Sequence, residues 1–173
     1  MSKFPRLLST GANNKVIVLN EKEVAKLFLK DSRSDLGSEA EKMQVANTIN
    51  DLVVIFHRLD FDEILQAEML VMERLYPMDY RAYEVEKREL WLKVFLDKIR
   101  QLHNGGFVHR HIKRATNLTG LAFDNILLTD KGLRLIDVGI SVIQHKVGDT
   151  LFKKYLKTEE TELQEFANYF LNR

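Results

Sequence analysis

Short apolar runs separated by polar turns occupy the first half of the chain. These runs are rich in β-branched residues or alternate with polar ones, and they predict four strands at 16–19, 23–29, 52–56 and 68–73. The polar tripeptide at 20–22 predicts a turn between the first two strands. Pro77 follows the fourth run and marks the end of any strand there, because proline cannot donate to a sheet ladder.

The second half of the chain shows helical periodicity. Apolar residues alternate with charged ones at the spacing of a helix over 83–103. The apolar positions are Val85, Leu92, Phe95, Ile99 and Leu102. An earlier helix is predicted over 39–50, with Ser38 as its N-cap. The sequence therefore predicts both strands and helices.

Composition narrows the classes of function. The chain has 173 residues, enough for one domain with a substantial core. Its net charge of +1 argues against a broad nucleic-acid-binding surface. Because it has no cysteine, disulfides and zinc–thiolate sites are excluded. No apolar run is long enough for a signal core or a membrane span, so we expect a cytoplasmic protein with no membrane partner.

The stretch 107–142 carries side chains suited to metal–phosphate chemistry. Asn125 stands directly before one apolar run, and Asp137 follows a second apolar run at 133–136. The four residues T-D-K-G between the runs predict a hairpin turn, which would bring the amide and the carboxylate to neighbouring strand ends. Mg²⁺ prefers oxygen ligands and takes only one or two from protein when phosphate and water supply the rest. We therefore predict that Asn125 and Asp137 form a magnesium-binding pair.

Two features nearer the N-terminus suit an anionic ligand. Ser9, Thr10 and Gly11 open a segment of small and polar residues that lets the backbone approach a phosphate, although a plain hairpin turn explains the same residues. Lys26 alternates with apolar neighbours, so its side chain lies on the opposite face of the strand from theirs. An isolated lysine in a strand is usually only solvated.

Together, four motifs resemble those of the protein-kinase-like fold. They are V-A-K-L-F around Lys26, H-R-H at 109–111, N-I-L-L from Asn125, and I-D-V-G around Asp137. The resemblance implies a single α+β domain with two lobes over 1–173. A small antiparallel sheet with one helix would occupy 1–73, a hinge 74–80, and a reduced, mainly helical second lobe 81–173.

The resemblance also assigns roles to further residues. Lys26 would hold the phosphates of ATP and pair with an acidic residue of the helix at 39–50. We expect Glu41 to be that partner because apolar residues follow it at i+4 and i+8. Glu39 is the alternative, and both acids also suit the positive end of a helix dipole without any pairing.

The hinge would supply the adenine site. Backbone groups near Glu73 and Leu75 would meet the edge of the adenine ring, and Met72 would lie at the back of the pocket. Backbone recognition requires only a strand-like sequence at these positions.

The catalytic loop departs from the kinase pattern. His111 stands where kinases carry the catalytic aspartate of H-R-D, and Asn125 follows it by 14 positions, roughly nine more than usual. Three alternatives remain open. His111 acts as the base, since an imidazole titrates near pH 6.5. Asp124 returns to the site and takes the proton. Or the acceptor is lost, and the protein binds nucleotide with little or no transfer.

The end of the chain is similar to the tail of the RIO atypical kinases. About 34 residues follow Gly139, too few for the peptide-docking region of a conventional protein kinase. The run I-D-V-G-I-S-V, a short helix at 151–156, a final helix with paired aromatic residues at 169–170, and S-T-G at 9–11 carry the similarity.

This similarity implies ATP and Mg²⁺ as cofactors and transient phosphorylation of Asp137. The leading expectation is a magnesium-dependent phosphotransferase or ATPase. A nucleotide-sensing pseudokinase and a scaffold domain are the alternatives. No protein partner is indicated.

Overall fold

The computed structural model describes residues 6–10, 15–28, 36–114 and 122–172. Along these ranges the chain forms β1 (Arg6–Thr10), β2 (Lys15–Val18), β3 (Glu23–Phe28), α1 (Leu36–Ile49), β4 (Phe56–Asp62), β5 (Ala67–Glu73), a 3-10 helix (Tyr80–Ala82), α2 (Val85–Asn104), β6 (Phe107–Val108), β7 (Ile126–Thr129), β8 (Gly132–Leu135), β9 (Val142–Ile143), α3 (Gln144–Val147) and α4 (Asp149–Asn172). The fold is therefore α+β, as predicted.

The first five strands form one antiparallel sheet in the order β1-β2-β3-β5-β4. Successive side chains of its central strand, β3, point to opposite faces of the sheet. Ala25 and Leu27 are buried on one face, in a cluster with Met69 and Val71 of β5. Lys26 points to the opposite face, where α1 lies.

Helix α1 covers the face of the sheet to which Lys26 points. It turns four residues inward, namely Glu39, Ala40, Met43 and Ala46. Three of them are apolar and join the main core, whereas the fourth is a carboxylate. A carboxylate is costly to bury unless a cation or several hydrogen-bond donors face it. The phase of α1 therefore requires a positive group opposite Glu39.

The helices α2 and α4 build the core of the second half. On α2 the apolar stripe predicted from the sequence is buried at Leu92, Phe95, Ile99 and Leu102. Phe95 meets Phe166 of α4, with their ring centroids 5.5 Å apart. No helix in the described part of the chain combines the length and apolar character that crossing a membrane requires.

The hairpin of β7 and β8 joins the two halves. The Val54 N–H donates to the Leu135 carbonyl at 2.8 Å, and the Leu135 N–H donates to the Leu52 carbonyl at 2.8 Å. Arg134 of β8 is almost fully buried and forms an ion pair with Glu73 at the end of β5. These contacts fix the hairpin against the sheet.

Several element boundaries differ from the sequence prediction. A strand was expected at 52–56, but β4 begins at Phe56. The backbone groups of Leu52 and Val54 form hydrogen bonds with Leu135 instead of with a strand of the sheet. Ser38 lies inside α1 instead of capping it, because the helix begins at Leu36. The short helix expected at 151–156 and the final helix are one continuous helix, α4. Strand β1 was not expected.

The aromatic contact between α2 and α4 gives a test of the fold. Phe95→Ala should lower the free energy of unfolding by about 3–5 kcal/mol, because it leaves a cavity in a closely packed core. Leu90→Ala is the matched control, since Leu90 lies on the same helix and is 66% exposed. It should change stability by less than about 0.5 kcal/mol. Urea unfolding followed by circular dichroism measures both, and equal losses would contradict the packing described.

Candidate functional site

Lys26 lies at the centre of a group of charges contributed by three elements. Its Nζ donates to both carboxylate oxygens of Glu39, at 2.7 and 3.0 Å. It also lies 3.6 Å from Asp137 Oδ1. The Lys26 and Glu39 side chains are only 14% and 4% exposed, whereas that of Asp137 is 42% exposed. The ammonium thus has a buried partner on α1 and a more accessible one after β8.

The expected pairing of Lys26 with Glu41 is wrong. Glu41 lies on the exposed side of α1 and forms an ion pair with Lys146 of α3. Successive helical residues are rotated by about 100°, so Glu41 lies roughly opposite Glu39 around the helix. Glu39, the alternative considered from the sequence, holds the inward position.

Asp137 lies two residues after the end of β8 and has an unusual backbone conformation. Its φ of +58° lies in the left-handed region, which L-residues adopt only when their surroundings hold them there. The Gly139 N–H donates to Asp137 Oδ1 at 3.4 Å. Burial raises the pKa of Asp137, but the Lys26 ammonium, this N–H and two nearby histidines outweigh that effect and lower it below 3.8. Asp137 is therefore a carboxylate near neutral pH.

Asn125 lies beside Asp137 across the hairpin. Its backbone carbonyl accepts from the Ile136 N–H at 3.0 Å, one residue before Asp137. Its side-chain NH₂ donates to the His111 carbonyl at 3.0 Å. Since the amide nitrogen is held in this way, the orientation of the amide is fixed. None of the side-chain hydrogen bonds among the described residues uses its amide oxygen.

The Asn125 amide and the Asp137 carboxylate are a donor set that suits Mg²⁺. They offer oxygen ligands from two neighbouring strand ends, and Asp137 is both ionised and accessible. No cluster of three or more His, Cys, Asp or Glu side chains that could hold a metal occurs among the described residues. Such a pair suits an ion whose remaining ligands are phosphate and water.

His109 ties the loop before the insertion to the site. Its Nε2 lies 2.9 Å from the Ile136 carbonyl, and the His111 N–H donates to its Nδ1 at 3.3 Å. These two bonds require a neutral ring that carries its proton on Nε2. Burial lowers the pKa of His109 below 6.5, despite the opposing effect of the Glu159 carboxylate and the Ile136 carbonyl.

Glu159 holds the same loop from the other side, and the sequence-based assignment missed it. This residue of α4 is 1% exposed. Its carboxylate accepts the backbone N–H groups of His109 at 3.3 Å and of Arg110 at 2.5 Å. His103 Nε2 lies 3.0 Å from the same carboxylate. Arg110 has a φ of +66°, so the carboxylate fixes a strained turn. A signal existed, because Glu159 interrupts the apolar stripe of its helix.

The two candidate bases differ in their surroundings. His111 is half-buried, and its backbone carbonyl accepts from the side chain of Asn125 at 3.0 Å. Asp124 instead forms an ion pair with Arg114 at 2.8 Å. The Arg114 N–H also donates to the Ala122 carbonyl at 2.7 Å. These contacts close the base of the insertion.

Most of the remaining predicted site residues lie in β1 or at the end of β5. Ser9 and Thr10 are the last residues of β1, whereas Gly11 lies outside the described residues. Met72 and Leu75 are half-buried and pack against the main core at the end of the sheet. The Glu73 side chain is engaged with Arg134, and its N–H donates to the Ile55 carbonyl at 2.9 Å.

No protein-family model matches the chain, and no curated protein sequence shows significant similarity to it. The functional assignment therefore depends on the geometry of the described residues.

The anchoring of the loop by Glu159 predicts a loss of stability. Glu159→Ala should lower the free energy of unfolding by about 2–4 kcal/mol, because it leaves the buried N–H of His109 and the partly buried N–H of Arg110 without an acceptor. The matched control is Glu160→Ala, which removes an exposed carboxylate from the next position of the helix. That change should cost less than about 0.5 kcal/mol. Chemical unfolding of the two variants compares them, and a neutral Glu159→Ala would show that the loop is not held in this way.

The neutral state of His109 predicts a pH dependence. The unfolded chain takes up a proton at this position below pH 6.5, whereas the folded chain does so only at a lower pH. Stability should therefore fall as the pH drops below 6.5 and level off below the folded-state pKa. Replacing the ring with the neutral amide in His109→Gln should flatten this part of the profile. Unfolding curves from pH 7.5 to 5.5 test it, and an unchanged slope would show that His109 does not cause the dependence.

Proposed function

We propose that this protein is a two-lobed, kinase-like ATP-binding protein of the RIO type that acts as a magnesium-dependent phosphotransferase or ATPase. One observation carries the proposal. The Lys26 ammonium, from the sheet, is held between the buried Glu39 carboxylate at 2.7 Å and the Asp137 carboxylate at 3.6 Å, from the other half of the chain. A cation oriented in this way at the junction of two halves suits the binding of phosphate.

Each charge in the group has a role in this proposal. Glu39 is almost fully buried and bonded through both oxygens, so its role is to orient Lys26. Lys26 then presents its remaining donor capacity to phosphate oxygens. Asp137 and Asn125 would hold Mg²⁺, which would offset the charge on the phosphate oxygens. The 3.6 Å contact between Lys26 and Asp137 is long enough to be opened by such a ligand.

The fate of the transferred phosphoryl group depends on the acceptor. His111 is the proposed base, because its backbone is bonded to Asn125 at 3.0 Å and imidazoles commonly act as general bases. The similarity to RIO kinases also implies that Asp137 itself can accept the phosphoryl group. Its side chain is 42% exposed and therefore accessible to a ligand. Positioning and charge contribute more than the base to phosphoryl transfer, so the absence of aspartate at 111 is compatible with slow turnover.

A pseudokinase is the second candidate, and the loop favours it at one point. Position 111 lacks a carboxylate, and the nearest carboxylate in sequence, Asp124, is paired with Arg114. In that case ATP would bind the same residues and stabilise the junction between the two halves without turnover.

Phosphate release in the presence of ATP and Mg²⁺ tests the proposed activity. Asp137→Ala should lower turnover by about 10²- to 10³-fold, because it removes a ligand of the Mg²⁺ that would offset the developing charge on the phosphate. Lys26→Met should weaken ATP binding by about tenfold or more, the effect of losing a charge-assisted bond. The matched control is Lys22→Met, an exposed lysine of the turn before β3, which should change neither quantity.

A thermal shift with ATP and Mg²⁺ separates the candidate functions. Stabilisation with turnover supports the enzyme, and stabilisation without turnover supports the pseudokinase. Absence of both would reject nucleotide binding. In His111→Ala, retained binding with lost turnover would support the histidine as base, whereas unchanged turnover would exclude it.

A further inference from the structure

The strand β4 leaves one side of the five-stranded sheet open. It is the outermost strand and, among the described residues, pairs only with β5. None of its seven residues is buried. Sheets generally protect such an edge, because its free N–H and C=O groups can pair with another chain. The side chains of β4 indicate which kind of chain could pair with this edge.

The two faces of β4 differ in character. Arg58 and Asp60 lie opposite Val71 and Met69 of β5, and therefore on one face. Leu59 and Phe61 alternate with them on the other face and are 46% and 49% exposed. The turn after the strand adds Ile64, which is 94% exposed. The edge thus combines opposite charges on one face with an exposed apolar stripe on the other.

The backbone at the centre of β4 is available for pairing. The Phe61 N–H donates to the side chain of its own neighbour, Asp60, at 2.9 Å. Because alternate N–H groups of a strand point to the same side, Leu59 and Phe61 direct theirs away from β5. Leu59 lies midway between Arg58 and Asp60 and can occupy a twofold axis.

We propose that two copies of this chain associate through antiparallel pairing of their β4 strands, with Leu59 at the twofold axis. In this register Arg58 lies opposite Asp60 of the partner subunit, and by symmetry the same pair forms a second time. The two Leu59 side chains meet on the other face. A sequence of opposite charges around a central apolar residue is self-complementary when it is reversed, so the occupant that fits this edge is a second copy.

The contacts within one chain are compatible with this pairing. Arg58 already bonds Glu23 through Nη1 at 2.6 Å and approaches Asp60 through Nε at 3.4 Å. A guanidinium has five N–H donors, so Arg58 can keep Glu23 and exchange the weaker contact for Asp60 of the partner subunit. The bond from the Phe61 N–H to Asp60 would be replaced by a backbone bond across the interface.

Sedimentation of the whole chain from micromolar to millimolar concentration tests the proposal. The wild type should show a reversible equilibrium between monomer and dimer. Arg58→Asp and Asp60→Arg should each raise the dissociation constant by about tenfold or more, because both cross-strand pairs become like-charged. An equimolar mixture of the two variants should associate again, because opposite charges then face each other at both positions.

Asp97→Arg is the matched control. Asp97 is 51% exposed, against 47% for Asp60, and it too pairs with an arginine of its own chain, Arg100. Its reversal should leave the equilibrium unchanged. Thermal melting of each variant confirms folding. A monomer at every concentration, or a dimer that both β4 reversals leave intact, would overturn the proposal. Open-ended growth would do so too, because it indicates that β4 pairs with the other sheet edge, β1, of the next copy.

Discussion

The buried ion pair between Lys26 and Glu39 is the contact on which the rest of the site depends. Two charges withdrawn from water are unfavourable unless they meet in good geometry, and removing one partner of such a pair typically costs about 3–5 kcal/mol. Both oxygens of Glu39 lie within hydrogen-bond distance of the ammonium. This pair fixes the rotation of α1 about its axis and its position over β3. It also directs the remaining capacity of Lys26 toward Asp137.

Asp137 reaches that position because the second half of the chain is built around the hairpin that precedes it. Backbone bonds between residues 52–54 and Leu135 attach the hairpin to the segment that precedes β4, and the Arg134–Glu73 pair attaches it to the end of β5. Helix α4 then holds the opposite loop through Glu159. Two strained residues, Arg110 and Asp137, are thus held by contacts from elements distant in sequence. Strain of this kind persists only where the surrounding structure maintains it.

Local patterns predicted much of this arrangement. The alternation around Lys26 gave its face correctly, and the T-D-K-G turn between two apolar runs gave the hairpin that positions Asn125 and Asp137. Four of the five positions predicted for the apolar stripe of α2 are buried, whereas Val85 is 40% exposed. Each of these signals lies within a few residues of the structure it specifies, so a period or a turn residue was sufficient.

The features that failed depend on distant contacts. Glu41 was predicted to face the sheet because apolar residues follow it at helical spacing. In the structure, however, the face of α1 that packs on the sheet carries Glu39. Residues 52–54 were predicted to belong to a strand of the sheet because they are apolar. In the structure they bond to Leu135 instead, and β4 begins after them. Glu159 acts on a loop about 50 positions away. Sequence periodicity carries no information on such partners.

In the proposed function, one nucleotide-bound divalent ion lies between Asn125 and Asp137. Paramagnetic broadening of backbone amide signals by Mn²⁺–ATP, which stands in for Mg²⁺–ATP, measures this directly. The account predicts that broadening is strongest at Asn125, Asp137 and Gly139, weakens with distance from them, and disappears in Asp137→Ala. Broadening centred elsewhere, with those three signals unaffected, would contradict it.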